Sequence, residues 1–493
     1  MSLPGRPEPR HLRGFRDLFG AALTSRRRMI DTLVSVYERY GFTALETPAL
    51  EYVDVLGKFL PEADSPQGGI FAFRDENSDW VGLRYDLTAP LSRVIAEYPE
   101  LPRPFRRYQV GPVFRAEKPG PGRYREFHQC DFDTVGSASP LADAEVCGIL
   151  SDAMEALGIP RGSYIVRVSD RKVLNGILER AGVRSDDADP NRVLTVMRAI
   201  DKMDRISLPG VRDLLGAGRV DESGDPTRGA RLTPAQIEAI VRYLEVSRSD
   251  RPAHLREIGS LVAGSAVGEE GVAELARIDE CLAKVGYGVD RVVFDPTVVR
   301  GLAYYTGPVF EVELTFEVKD ETGATRRFGS VAGGGRYDDL VERFLGQKLP
   351  ATGGSIGVDR LLAALSVLAP APAGRMPGSV MVLVLHPSLA GESFALAHEL
   401  RTAGLAAEVF LGKGSLRNQM KYADDRGIRC VVLVGEDELK AGTVSVKDLQ
   451  LGGELAREVQ SRETWKRERP AQVTVPRADL IPTLRSMGTS STR

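Results

Sequence analysis

Residues 106–136 restrict the fold more than any other stretch. The runs RRYQVGPVFRAE and RYREFHQCDFDTVG flank the tip KPGPG and read as two antiparallel strands joined by a Gly/Pro turn. Side chains alternate across a strand, so the odd positions of the second run share one face. That face carries Arg123, Arg125, Phe127, Gln129, Asp131 and Asp133, while Tyr124, His128, Cys130 and Phe132 take the other and read as core. At about 3.3 Å per residue, Phe127 to Asp133 spans on the order of 20 Å, the length of a nucleotide joined to a small polar molecule.

The charges along that face sort by chemistry. Arginines offer fixed forks for phosphate oxygens. Phe127 offers a flat ring to a base. Gln129 and Asp133 suit the polar or cationic groups of a second substrate. A solvated, salt-bridged hairpin is the competing explanation, and four further stretches weigh against it. LRYDLTAP places Asp86 and Thr88 two apart on a predicted strand face suited to an ammonium group, or else as capping residues at an edge. VVRGLAYYTGPVFE sets Arg300 beside a glycine turn and follows it with Tyr304 and Tyr305. SVAGGGRYDDL and ATGGSIGVDRLLAAL are glycine-rich strand ends that open into predicted helices, with Arg336 and Arg360 at or just before the helix starts, where N–H groups and the helix dipole favour anions.

Length and composition narrow the class. The 493 residues suggest roughly three domains at about 150 residues each. A net charge of −3 gives no global attraction to a polyanion, so any nucleic acid must bind through local basic patches. The four cysteines are scattered without a C-x-x-C pair, which points to reduced thiols in the cytoplasm and away from a zinc site. The first residues lack the apolar core of a secretory signal, and no apolar run reaches membrane-span length. P-loop, Rossmann, H-E-x-x-H and convincing G-x-S-x-G signatures are missing. His128 by itself reads as a structural strand residue.

The run LAPAPAGRMPGS, from Leu368 to Ser379, reads as a linker. Beyond it, strands alternate with helices of a length that predicts a small parallel or mixed α/β domain. A helix is expected from about Ser25 to Tyr40. From about Ser169 to Asp290 the chain becomes helical and polar and reads as an insertion, after which strands resume at RVVFDPTVVRGLAYYTGPVFEVEL. The expectation is a discontinuous mixed α/β domain around an insertion.

These stretches resemble the class II aminoacyl-tRNA synthetases, and among them the histidyl-tRNA synthetase family, over nearly the whole chain. YGFTALETPALE, with Pro48, is similar to the class's first motif at a dimer interface. FRAEKPGPGRYREFHQCDFD is similar to the second motif, and GGSIGVDRLLAAL to the third. RYDLT and VRGLAYYTG are the family's own histidine motifs. The resemblance implies an α/β fold: an α+β catalytic domain on a mixed, mainly antiparallel sheet (1–168 and 291–370), a helical insertion (169–290), a linker (371–378) and an α/β anticodon-binding domain (379–493).

The same resemblance implies ATP-dependent ligation of L-histidine to tRNA(His), by a homodimer, with Mg2+ accompanying ATP. Arg115 would hold the α-phosphate, Phe127 would stack on adenine and Glu117 would contact its amino group. Arg123 and Arg360 would bind the outer phosphates. Asp86, Thr88 and Gln129 would fix the backbone groups of histidine, and Asp133, Tyr304 and Tyr305 would surround the imidazole. Arg300 would sit beside the reacting carboxylate and α-phosphate, so that Arg115 and Arg300 are the catalytic pair touching both substrates. The sequence departs from the family at Ala303, where an acidic residue is common, at Asp133, a shorter carboxylate than the Glu of some relatives, and at the tip AEKPGPG. The alternative is a regulatory paralogue that binds histidine without aminoacylation. Such proteins typically lack the anticodon domain and lose catalytic arginines. On the predicted C-terminal helix, Arg417, Lys421 and Arg426 are candidate RNA contacts, with a solvated charged face as the default.

Overall fold

A computed structural model describes residues 8–57, 69–119, 123–185, 189–220, 224, 226–300, 305–319, 325–368, 380–452 and 471–488. The chain divides into two compact units, one of residues 1–17 and 26–368, the other of residues 18–25 and 369–493.

The elements begin with α1 (Gly20–Arg39), β1 (Thr43–Ala44), β2 (Leu50–Tyr52), α2 (Val53–Leu56), β3 (Ala72–Arg74), β4 (Trp80–Leu83) and α3 (Thr88–Glu97). The central hairpin is β5 (Phe105–Phe114) and β6 (Glu126–Val135), followed by α4 (Pro140–Ala156) and β7 (Tyr164–Asp170). Next come α5 (Arg171–Arg180), α6 (Arg192–Ile200), α7 (Met203–Leu215), β8 (Gly218–Val220), β9 (Pro226–Arg228), α8 (Pro234–Leu244), α9 (Arg251–Val262) and α10 (Ala266–Lys284). Strands resume with β10 (Val292–Phe294), β11 (Pro308–Lys319) and β12 (Thr325–Arg336), then α11 (Glu342–Leu345), β13 (Ala351–Gly357) and α12 (Val358–Leu368).

Eight strands form one sheet in the order β1-β5-β6-β13-β12-β11-β7-β10. Only the two edge pairs, β1 with β5 and β10 with β7, are parallel. The alternation in β6 divides the sheet's faces as expected: Cys130 and Phe132 enter the main hydrophobic core with residues of α1, α4 and α12. Gln129, Asp131 and Asp133 lie on the opposite face. Local signals start the flanking helices. Ser139 caps α4 ahead of Pro140 by accepting from the Leu141 N–H, and Thr233 with Gln236 forms a reciprocal capping box on α8. Ser169 and Asp170, where the helical stretch was expected to begin, still belong to β7, and Asp170 caps α5.

The second unit holds β14 (Val380–Val382), α13 (Ala390–Thr402), β15 (Ala407–Val409), α14 (Leu416–Asp425), β16 (Cys430–Leu433), α15 (Glu436–Ala441), β17 (Thr443–Asp448), β18 (Gln472–Pro476) and α16 (Leu480–Ser486). Its sheet runs β15-β14-β16-β17-β18. β15, β14 and β16 are parallel, while β17 pairs antiparallel with both β16 and β18, so the sheet is mixed. Arg417 and Lys421 lie on α14, and Arg426 directly follows it. The expected linker, apart from Leu368, lies outside the described residues.

Two expectations need correction. Asp86 and Thr88 are not on a strand, because β4 ends at Leu83. Asp86 instead accepts from the N–H groups of Thr88 (3.0 Å) and Ala89 (2.8 Å), which pins the first turn of α3. Arg336 does not open a helix. It closes β12, buried, in a 2.5 Å ion pair with the buried Asp143. A guanidinium committed to a carboxylate in the core is no anion site.

Candidate active site

The sheet face opposite the core is organised in rows by strand register. One row runs Arg107–Asp133–Gly353–Gly335 across β5, β6, β13 and β12. The next runs Gln109–Asp131–Ser355–Gly333–Glu311 and extends into β11. The glycines in these rows leave room for the functional side chains. A methyl group at Gly353 would lie 2.3 Å from Asp133 Oδ1, and one at Gly335 would lie 2.5 Å from the Tyr305 ring. A methyl group at Gly333 would lie 3.0 Å from Arg300 Nη1. Asp133, Tyr305 and Arg300 therefore rest on a floor without side chains.

At the acidic end, Asp133 is buried and lies 2.7 Å from Arg107 Nη2, which is itself fully buried. The Tyr337 hydroxyl donates to the other Asp133 oxygen. Burial pushes the Asp133 carboxyl above its usual range, against the pull of Arg107 and Tyr337, and Asp86 adds to the rise. Burial pushes the Asp131 carboxyl up to about 7, with Arg107 opposing and Asp133 adding. The Tyr305 hydroxyl is raised by burial first, with Arg300 opposing and Asp133, Asp131 and Asp86 adding. Three carboxylates and two phenols thus converge on a region suited to a cationic or hydrogen-bond-donating ligand. Gln129 Nε2 donates to Ser355 Oγ at 2.7 Å.

At the basic end, Arg115 Nε donates to the Tyr85 carbonyl at 3.3 Å, and its guanidinium sits 5.1 Å from the Phe127 ring centroid. Arg300 is 38% exposed and its Nη2 meets Glu311 Oε1 at 2.6 Å. Arg360 occupies the first turn of α12. Its side chain reaches solvent, yet it is held below the usual arginine range by the protein packed around it and then by the charges of Arg300 and Arg123, with Glu311 opposing. Guanidinium groups that repel one another mark a place where an anion lowers the energy. Arg123 and Glu117 pair with each other at 3.3 Å near the tip, both exposed. The strands end at Phe114 and Glu126, so Arg115, Glu117, Arg123 and Arg125 lie in the connection and not on strands. This connection is tied down at its base, where Arg115 N–H donates to the Arg125 carbonyl and Arg125 N–H to the Gly14 carbonyl, each at 2.8 Å.

The structure therefore groups Asp133, Gln129 and Tyr305 with Asp86 at one end, and Arg115, Phe127, Arg300, Arg123 and Arg360 at the other. Tyr304 and Ala303 lie outside the described residues. Sequence reasoning gave no role to Arg107, Asp131, Tyr337, Ser355 or Glu311. Alternation in RRYQ places Arg107 and Gln109 on one face of β5, and the hairpin register then sets them opposite Asp133 and Asp131. That register was the available signal.

Comparison with known proteins identifies the family. The family model for histidyl-tRNA synthetase matches residues 14–361, and an anticodon-binding-domain model matches residues 379–487. The chain is 55% identical over 488 residues to a histidine–tRNA ligase of Cereibacter sphaeroides, covering 98% of each. It is 49% identical to one from Caulobacter vibrioides, covering 98% of this chain and 97% of that one. Among solved structures, the histidyl-tRNA synthetase from Nostoc sp. PCC 7120 superposes with a TM-score of 0.74 at 29% identity, covering 98% of this chain and 100% of that one. A Bacillus halodurans protein described as an ATP phosphoribosyltransferase regulatory subunit/histidyl-tRNA synthetase shares the fold at 23% identity. With its sheet, its charged face and both matched regions, the chain belongs to the histidyl-tRNA synthetase family.

Proposed function

We propose that the chain ligates L-histidine to tRNA(His) in two steps: formation of histidyl-adenylate from histidine and ATP, then transfer to the 3′-terminal adenosine. The observation that carries this is the single sheet face with guanidinium groups gathered at one end and the buried Asp133 at the other. Asp133, Tyr304 and Tyr305 take the imidazole. Asp86, Thr88 and Gln129 hold the backbone groups of histidine. Phe127 stacks on adenine once Arg115 turns from its ring to the α-phosphate, and Glu117 receives the adenine amino group. Arg123 and Arg360 hold the outer phosphates.

The histidine carboxylate attacks the α-phosphorus in line, and pyrophosphate departs. Negative charge gathers on phosphate oxygens, so positioned cations supply the catalysis and no covalent enzyme intermediate is needed. Arg115 and Arg300 flank the α-phosphate, and the ion pair with Glu311 fixes the direction of the Arg300 fork. Magnesium enters with ATP as part of the substrate. Among the described residues no three His, Cys, Asp or Glu side chains gather to hold a metal.

Residues 169–290 are an insertion beside the acceptor stem, and 371–378 join the catalytic part (1–168 and 291–370) to the anticodon-binding region, 379–493. A second copy of the chain covers the β2–β4–β3 sheet. In support, Leu50, Tyr52 and Phe73 share one face of it and are 46%, 52% and 49% exposed. The working compartment is the cytoplasm, consistent with four free cysteines. No helix among the described residues is long and apolar enough to cross a membrane. The regulatory alternative is disfavoured by the matched anticodon-binding region and the retained arginines. ATP–pyrophosphate exchange tested with all twenty amino acids decides the matter. Exchange with histidine alone, lost in Arg300→Ala, supports ligation, and histidine binding without exchange moves the assignment to the regulatory class.

A further inference from the structure

Residues 14–16 take no part in the mechanism above, yet they are fastened to the connection that carries Arg123. The Gly14 carbonyl accepts from the Arg125 N–H at 2.8 Å. Gly14 has a φ of +87°, and a methyl group there would lie 2.9 Å from Arg125 Cγ, so a residue without a side chain lets the two backbones meet. The Phe15 ring packs edge-on against Phe71, with centroids 5.8 Å apart.

Arg16 then reaches two separate elements. Its guanidinium carbon lies over the Tyr124 ring, 3.6 Å from the centroid. Its Nη2 donates to Asp359 Oδ1 at 2.5 Å. Asp359 is buried in the first turn of α12, and its other oxygen accepts from the His128 N–H of β6 at 2.7 Å. Tyr124 directly follows Arg123, and Asp359 directly precedes Arg360. One guanidinium thus bridges the neighbours of two cations that come from different parts of the chain. Like charges cost energy to hold together until an anion arrives. A contact that already fixes both backbones leaves less ordering to be done when the anion binds.

We propose that Arg16 is a positioning residue that spans Tyr124 and Asp359 and so sets the spacing of Arg123 and Arg360 for the two outer phosphates of ATP. This rests on the ligation reading above, and specifically on Arg123 and Arg360 as the ligands of those phosphates. Arg16 does not itself hold a phosphate, because one face of its guanidinium covers Tyr124 and its Nη2 is committed to Asp359.

The test is histidine-dependent ATP–pyrophosphate exchange by the full chain carrying Arg16→Ala, Tyr124→Leu or both. Tyr124→Leu breaks the stack without changing any charge. The KM for ATP and that for pyrophosphate should each rise about three- to tenfold in either single variant, the scale of a lost cation–π contact. At saturating ATP, kcat should stay within about twofold, and the KM for histidine should not change. The double variant should be no worse than the poorer single one, since both break one brace. AMP has the base and the α-phosphate without the outer two, so its inhibition constant should keep the wild-type value throughout. Equal weakening of ATP and AMP would show a loosened pocket and overturn the brace. A wild-type KM for ATP in Tyr124→Leu beside a raised one in Arg16→Ala would show that Arg16 acts by its own charge, which also overturns it. An unchanged KM in both variants does the same. Arg360→Ala with a wild-type KM for ATP would instead remove the phosphate role on which the brace rests. A wild-type chain without histidine-dependent exchange would overturn the ligation reading itself.

Discussion

Arg107 and Asp133 form an ion pair of 2.7 Å in which neither side chain meets solvent appreciably. Arg107 also donates to the Leu87 carbonyl at 3.0 Å, just before α3. The pair thus ties the acidic end of the pocket to the turn that carries Asp86. Replacing one partner leaves the other's charge buried, so Arg107→Met should cost about 3–5 kcal/mol in chemical denaturation. Asp133→Ala should also raise the KM for histidine. Unchanged stability in the first variant would remove the pair's structural role, and an unchanged KM in the second would remove Asp133 from the site.

Arg300 crosses Gly333 to reach Glu311, and in the proposed mechanism it faces the charge that develops during adenylation. Removing a donor of this kind typically costs about 10²–10³ in kcat. Arg300→Ala should therefore slow adenylation by that order while changing histidine affinity little. Single-turnover adenylate formation separates the two effects. A loss confined to affinity would reassign Arg300 to binding.

On the proposed reading, Phe127 carries the base-stacking surface. Base–aromatic stacking contributes about 1–3 kcal/mol per base, so Phe127→Ala should raise the KM for ATP roughly ten- to a hundredfold and leave that for histidine near wild type. If the histidine KM rose equally, Phe127 would be supporting the strand and not the nucleotide.

Asp131 gives a pH signature. A carboxyl whose native value exceeds its unfolded value holds more protons when folded, so stability falls as pH rises between the two values. For Asp131 the window runs from about 4, the ordinary carboxylate value, to about 7, and the full cost stands above it. The groups setting that value are Arg107 and the Ser355 hydroxyl, which favour the charge, and Asp133 and Asp86, which oppose it. Asp131→Asn should gain melting temperature over wild type from pH 4.5 to pH 8. Parallel melting curves across that range would show that Asp131 titrates normally.

The sheet and the division of its faces were readable in the hairpin because a period of two leaves little freedom: Cys130 and Phe132 must go to one side if Gln129 and Asp133 go to the other. Asp86 was placed wrongly because YDLT has no apolar periodicity of its own, and a capping carboxylate looks the same in sequence as a strand carboxylate. Arg336 was misplaced for a related reason. A glycine run before an arginine signals an anion loop only if the backbone turns there, and here β12 continues to Arg336 and meets Asp143, 193 residues away in sequence. Arg107, Ser355 and Glu311 depend on which residues face each other across strands, and one sequence does not state that register outright.

The glycine floor also sets the direction in which amino-acid preference can be redesigned. Pockets are usually enlarged by trimming side chains, but Gly353, Gly335 and Gly333 have none to trim, and a side chain added at Gly353 or Gly335 collides with Asp133 or Tyr305 while one at Gly333 crowds Arg300. Room for a bulkier amino acid has to come from above the sheet, chiefly from the Tyr305 ring. A library that varies Gly353 or Gly335 displaces Asp133 or Tyr305, whereas one that varies the groups above the sheet leaves both in place.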